Sequence, residues 1–302
     1  MIRALVLSLV LLSAAPLGQA QDEAFELRPR YTAGFEREVD ARLTVLLRLR
    51  LTLPSANIDR TSEQEQVARR HFREKVLEAS KGALYKVRRR YVSMWEGERP
   101  PGASNLQRKL SPLSGKSLEV WWDTKRDKRR ARLSNTAHVV PSKLLDAEPL
   151  RERWDLVLPK DGVVVGQRWK VKDKDLRRAL GPKLAESGSL ECRLVAVREE
   201  AIDKRTPPER YAVVSLKVRT QVKEKGSGAV FTTQLTGKLR LSLARRQIAS
   251  IELRGTATLT STRTEGDHVL TIHGTGPLEL RKRVWFPSKP RRVRKPKKKS
   301  GE

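Results

Sequence analysis

From Val39 to Leu53 an apolar side chain occupies every second position: Val39, Ala41, Leu43, Val45, Leu47, Leu49, Leu51 and Leu53. A period of two places them on one face of a β-strand, with Asp40, Arg42, Thr44, Arg48, Arg50 and Thr52 on the other and only Leu46 breaking the polarity. A straight strand of this length would run to about 50 Å, well beyond the ~20 Å of an average strand. The pattern therefore predicts a bend or bulge and a strongly curved sheet.

The same alternation returns after Leu190 in successive segments. Leu190, Cys192 and Leu194 begin it. Ala212, Val214, Leu216 and Val218 follow, then Phe231, Leu235, Leu239, Leu241 and Leu243. Ala249, Ile251, Leu253, Ala257 and Leu259 come next, and Leu270, Ile272, Leu278, Leu280 and Val284 last. Turn chemistry at Lys225-Gly226-Ser227-Gly228 and Glu265-Gly266-Asp267 separates two of these joins, so an antiparallel meander of five strands is expected. Its second face is polar, with Thr232, Gln234, Thr236, Lys238 and Arg240 beside Thr256, Thr258 and Thr260, then Thr271, His273 and Thr275. The apolar face needs a cover, and the N-terminal strands with their helix are the apolar surface on offer. The expected fold is mainly β, a β-rich α+β chain of strongly curved antiparallel sheets forming an open barrel or a two-sheet clam, with one longer helix and short helices.

That longer helix is expected over residues 62–80. Ser62 and Glu65 form a capping box, and Val67, Phe72, Val76, Ala79 and Ala83 recur at near-helical spacing before Gly82 stops it. Tyr85, Val87, Tyr91 and Trp95 then read as a strand. A Pro/Gly/Ser-rich loop runs from Glu98 to Gly115, and Leu118–Trp122 leads through a charged hairpin tip, Asp123–Arg129, into Ala131 and Leu133. Between Pro141 and Pro159 the pattern is irregular, with Ser142 a cap and Pro149 forbidding one long helix. Asp173 is expected to cap a short helix through Leu176 and Leu180, closed by Gly181 and Pro182. The organisation expected is a leader at 1–20, N-terminal strands and helix at 21–145, a meander at 146–286 packed on them as one compact unit, and a tail at 287–302.

The leader has a basic Arg3, an apolar run from Ala4 to Ala15, and small residues at Gly18 and Ala20. This is the pattern of a secretory signal peptide cleaved after Ala20, too short to span a bilayer. An exported protein of the periplasm, cell envelope or extracellular space follows, with no transmembrane segment in the mature chain. The chain is strongly basic, with 64 Lys+Arg against 35 Asp+Glu. Such a balance attracts anionic surfaces and polymers and says nothing about fold. Cys192 is the one cysteine, so no disulfide within the chain is available. It alternates with leucines and reads as a small buried hydrophobe.

Val163-Val164-Val165-Gly166-Gln167-Arg168-Trp169 with Val171, then Leu235-Thr236-Gly237-Lys238-Leu239 and Ile248-Ala249-Ser250-Ile251, carry a resemblance. Across about residues 35–285 the chain resembles an uncharacterised family of exported bacterial β-rich proteins with a V-G-x-x-W strand before a C-terminal meander. The resemblance implies an envelope location and no catalytic residue. In architecture alone the chain is also similar to periplasmic lipoprotein carriers, whose open barrels enclose acyl chains.

Catalytic patterns are absent from the sequence. His71, His138, His268 and His273 have no metal-ligand spacing, and His268 beside Asp267 has no serine in a strained elbow to activate. No cofactor, metal or catalytic residue is predicted. Trp121 and Trp122 adjoin and must point to opposite faces of one strand, so one of them should be exposed and could stack on a sugar or lipid head group beside Arg129 or Arg130. In the tail, Lys289, Arg291, Arg292, Arg294, Lys295, Lys297, Lys298 and Lys299 form a run without an acid, kept extended by repulsion and prolines. These features point to a non-enzymatic envelope protein that binds an apolar or amphipathic ligand or acts as a scaffold, its tail on anionic envelope polymer or lipid head groups. Export argues against nucleic acid as partner. The alternative is an electrostatic polyanion-binding module, for acidic polysaccharide or nucleic acid, with a solid core. A cavity beneath the sheet would separate the two.

Overall fold

The computed structural model describes residues 23–135, 139–151, 153–181, 184–201, 208–224, 228–266 and 268–287. The leader, the basic run Lys289–Lys299, His138 and Asp267 lie outside them.

Twelve strands form a single antiparallel sheet, curved and not closed on itself. They are β1 (Glu36–Leu53), β2 (Ile58–Ser80), β3 (Ala83–Arg99), β4 (Gln107–Leu110), β5 (Ser117–Asp123), β6 (Lys128–Leu133), β7 (Arg168–Val171), β8 (Ser187–Glu200), β9 (Glu209–Lys223), β10 (Val230–Ser242), β11 (Gln247–Glu265) and β12 (His268–Trp285). Their order is β6-β5-β3-β2-β1-β12-β11-β10-β9-β8-β7, and β4 pairs beside β5 on β3. The last strand thus joins the first, with Leu43 opposite Leu280. Two short helices, α1 (Ser142–Ala147) and α2 (Asp173–Leu180), lie in the connection between β6 and β7. The five-strand meander stands as expected in β8 to β12, and α2 stops at Gly181 with a positive φ.

The helix expected over 62–80 is a strand. Two positions four apart are neighbours on a helix face and also share one face of a strand, so Phe72 and Val76 fit either period. Glu74, at the position between them, hid the alternation. On β2 it occupies a core-facing position and is buried. Gly82 belongs to the two-residue hairpin turn Lys81-Gly82, where both residues have positive φ. A second correction concerns Trp95. The register slips between His71 and Phe72, so Tyr91 faces the core while Trp95, opposite Arg69, faces outward.

The curvature does not come from a bulge in β1, whose register with both neighbours is unbroken, although its pairing to β12 lapses opposite Pro277. Register shifts lie in other strand pairs, between Arg240 and Leu241, Leu194 and Ala196, and His71 and Phe72, and glycines let neighbouring strands approach closely. Gly237, Gly255 and Gly276 step diagonally across β10, β11 and β12 on the core-facing side, and a Cβ at any of them would overlap a carbonyl oxygen of the adjacent strand, that of Glu252, Gln234 and Leu46 respectively. Only glycine lets the strands approach this closely.

The apolar face of the meander is not covered by the N-terminal strands, because those strands extend the same sheet. Its cover is irregular chain. Phe25, Leu27, Trp154, Val157, Leu158, Val163 and, from α2, Leu176 pack against Leu194, Val214, Leu216, Leu239 and Ile251. Cys192 lies in this cluster, and burial pushes its thiol up to about 12. A second cluster on the N-terminal strands joins Val39, Phe72, Val87, Tyr91, Leu118 and Val120 to Leu113, Val140 and Leu150, with Leu144 and Leu145 of α1 alongside.

Candidate polyanion-binding face

Two polar arrangements stand out, one buried and one exposed. The buried one interrupts the core-facing side of β1, β2 and β3, where Arg37, Glu74 and Arg89 sit at positions the alternation reserves for apolar residues. Glu74 receives Arg37 Nε at 2.8 Å on one carboxylate oxygen and Arg89 Nε at 2.5 Å on the other. Arg37 also donates to Gln247 at 3.0 Å, and Gln247 donates to the Arg30 carbonyl. Arg89 reaches Glu148 at 3.5 Å and the carbonyls of Pro149 and Leu150, while Tyr91 Oη donates to Glu148 at 2.5 Å. Burial raises the Tyr91 pKa, and the facing Glu148 adds to it. Burial works against the Arg89 charge, yet Glu74, Tyr91 and Glu148 outweigh it and hold that charge firmly. Two guanidinium and two carboxylate groups satisfy one another here. The arrangement fastens residues 148–150 to the sheet and exposes no group to a substrate.

The exposed arrangement is read off the strand register. On the outward face Arg168 (β7) stands opposite Arg193 (β8), which stands opposite Ser215 (β9), then Lys238 (β10), Glu252 (β11), Arg281 (β12), Arg42 (β1) and Arg69 (β2). One row of side chains therefore crosses the sheet at right angles to the strands, cationic at all but two positions. At the ~4.8 Å spacing of paired strands it is roughly 35 Å long. It ends where Trp95 (β3) stands opposite Arg69 and carries the Arg108 guanidinium over its ring at 4.7 Å.

Acids beside the row are already engaged. Asp40 takes Arg69 at 2.9 Å, Glu279 takes Arg254 at 3.1 Å, and Glu200 takes Arg240 at 2.8 Å. Among the described residues no carboxylate lies within ion-pair distance of Arg42, Arg281, Lys238, Arg193 or Arg168, and all five are exposed. Like charges directly opposite on paired strands repel, so Arg42 against Arg281 and Arg193 against Arg168 cost stability.

Trp121 and Trp122 do point to opposite faces of β5, with Trp122 exposed and Trp121 half-buried. They line a pocket of about 260 Å³ with Glu78, Lys86 and Arg132. On β6, Arg129 stands opposite Trp122 and Arg130 opposite Trp121, as expected, and the guanidinium over the Trp121 ring is that of Arg132, 5.5 Å from its centroid. Arg132 also binds Glu119, with Arg88 and Lys86, and these cations, Arg88 foremost, hold the Glu119 carboxyl at about 2.

His268 Nδ1 lies 2.7 Å from Ser55 Oγ at the exposed far ends of β12 and β1, and His71 binds Glu38 at 2.7 Å on β2. Among the described residues no group of three or more His, Cys, Asp or Glu could hold a metal ion, and no helix is long and apolar enough to cross a membrane. Sequence patterning marked Lys238 and Arg42 as polar-face residues but could not align them, because the row exists only in the register. No protein-family profile matches the chain, and no curated protein matches it.

Proposed function

We propose that the protein is an exported, non-enzymatic module that binds polyanions on the outward face of its sheet, with the basic run Lys289–Lys299 adding a second, unspecific attraction. The observation that carries this reading is that five exposed cations of the row, Arg168, Arg193, Lys238, Arg281 and Arg42, have no carboxylate within ion-pair distance among the described residues. Carriage of an apolar ligand, the other reading of the sequence, has less support. The apolar side chains that would line its chamber are packed against Phe25, Leu27, Trp154 and Leu176 of the same chain. Export rests on the leader pattern of residues 1–20.

Retention of the mature chain on immobilised heparin tests the reading. Binding should weaken linearly in log–log form with salt as counterions are displaced. Deleting residues 287–302 should lower the slope and leave substantial retention, with thermal stability unchanged. Loss of all retention on tail deletion would overturn the role of the sheet face.

A further inference from the structure

Resting on the polyanion reading, we infer that the ligand is a linear acidic polysaccharide lying along the row from Arg168 to Arg69, at right angles to the strands. A row matches a single chain better than a plane. A membrane surface would touch the crest of a curved sheet and use charges wherever they lie, with no premium on alignment. A linear polymer gains from each aligned cation in turn, because once one anionic group is held the next is delivered at high effective concentration.

The neighbours of the row separate a sugar polymer from a nucleic acid. Proteins that hold single strands stack successive bases on aromatic side chains. From β7 to β2 no residue of the row is aromatic, and Trp95, at its end, is already covered by Arg108. Beside the row on the same face stand Thr44 and Thr236, with the Arg254–Glu279 pair between them, and Thr256, Thr232, Thr258 and Thr275 lie further along. Hydroxyls that both donate and accept suit the hydroxyls of a sugar ring, while the guanidinium forks of Arg42, Arg281 and Arg193 suit its carboxylate or sulfate groups.

The test uses the mature chain without residues 287–302 and heparin oligosaccharides of increasing length, with affinity measured by calorimetry. Affinity should climb until the oligosaccharide spans the ~35 Å of the row and then level off per binding site. Arg42→Thr with Arg281→Thr should weaken the longest oligosaccharide about tenfold and lower the salt slope by about two, while Arg60→Thr with Arg263→Thr, equal in charge but off the row, should change it less than threefold. The hydroxyl-for-guanidinium exchange relieves repulsion, so unfolding temperature should not fall. If both double variants weaken binding equally, the row is refuted while polyanion binding stands. If single-stranded DNA of equal charge binds as tightly and depends on the row as strongly, or vesicles of phosphatidylglycerol do, the polysaccharide assignment is refuted. If none of these polyanions binds, the underlying reading itself fails.

Discussion

Arg42 and Arg281 face each other across the seam between β1 and β12, both exposed and neither within ion-pair distance of a carboxylate among the described residues. Opposed like charges at such positions cost roughly 0.2–1 kcal/mol. Arg42→Thr, which removes the residue flanked by Arg281 on one side and Arg69 on the other, should therefore raise the unfolding free energy by about 0.5 kcal/mol at low ionic strength, and the gain should shrink as salt screens the pair. Urea titrations at low and high salt would show it, and an equal loss of stability at both would contradict the opposed-charge account.

The buried network makes a contrasting prediction. Arg89 bridges the buried Glu74 and Glu148, and its removal leaves Glu74 with Arg37 and Glu148 with the Tyr91 hydroxyl, two buried carboxylates facing one guanidinium. Arg89→Met should cost about 3–5 kcal/mol, whereas Tyr91→Phe, which removes one hydrogen bond to Glu148, should cost about 1–3 kcal/mol. Equilibrium unfolding separates the two. If Arg89→Met is as mild as Tyr91→Phe, the network is not the fastening of residues 148–150.

Glu119 sets an acid limit. Its carboxyl ionises near 2 when folded against an ordinary value of 4.5, so the charged form is favoured by folding. That contribution is fully present above about pH 5 and is lost as pH falls toward 2, amounting to on the order of 2 kcal/mol. Glu119→Gln should be the less stable form at pH 6 and should lose less stability than the wild type between pH 5 and pH 2. Parallel pH profiles for the two proteins would rule the assignment out.

The glycine crease can be tested by the smallest side chain. Gly255→Ala forces a methyl group onto the Gln234 carbonyl, and backbone cannot yield as a side chain can. A loss of about 3 kcal/mol is expected, at the upper end for overpacking. Gly97→Ala meets side chains and no backbone, Leu106 at 3.0 Å and the Trp95 ring at 3.3 Å, and should cost less. Thermal unfolding of both would check the contrast.

The meander from β8 to β12 was legible because its buried positions are apolar and its exposed ones are threonine and charge, so period two survived in the letters. β2 was illegible for the opposite reason. Its buried Glu74 is paid for by Arg37 and Arg89 on other strands, and no local pattern announces such a partnership. The candidate row was half legible. Arg42 and Lys238 fell correctly on polar faces, but their alignment depends on strand partners far apart in sequence, and the joining of β12 to β1 lies beyond any window of periodicity. The cover of the apolar face escaped for a similar reason, since Phe25, Leu27 and Trp154 belong to irregular segments with no period to read.

The β1–β12 seam also governs when the molecule can come into being. A ribosome releases β1 before β12, so β1, beside the central strand of the finished sheet, must wait with one edge bare until ten further strands have been made. Neither half can shut that gap alone, and closure over so long a loop is slow. Acquisition of the native state is thus a late event, set by the pairing of strands far apart in sequence.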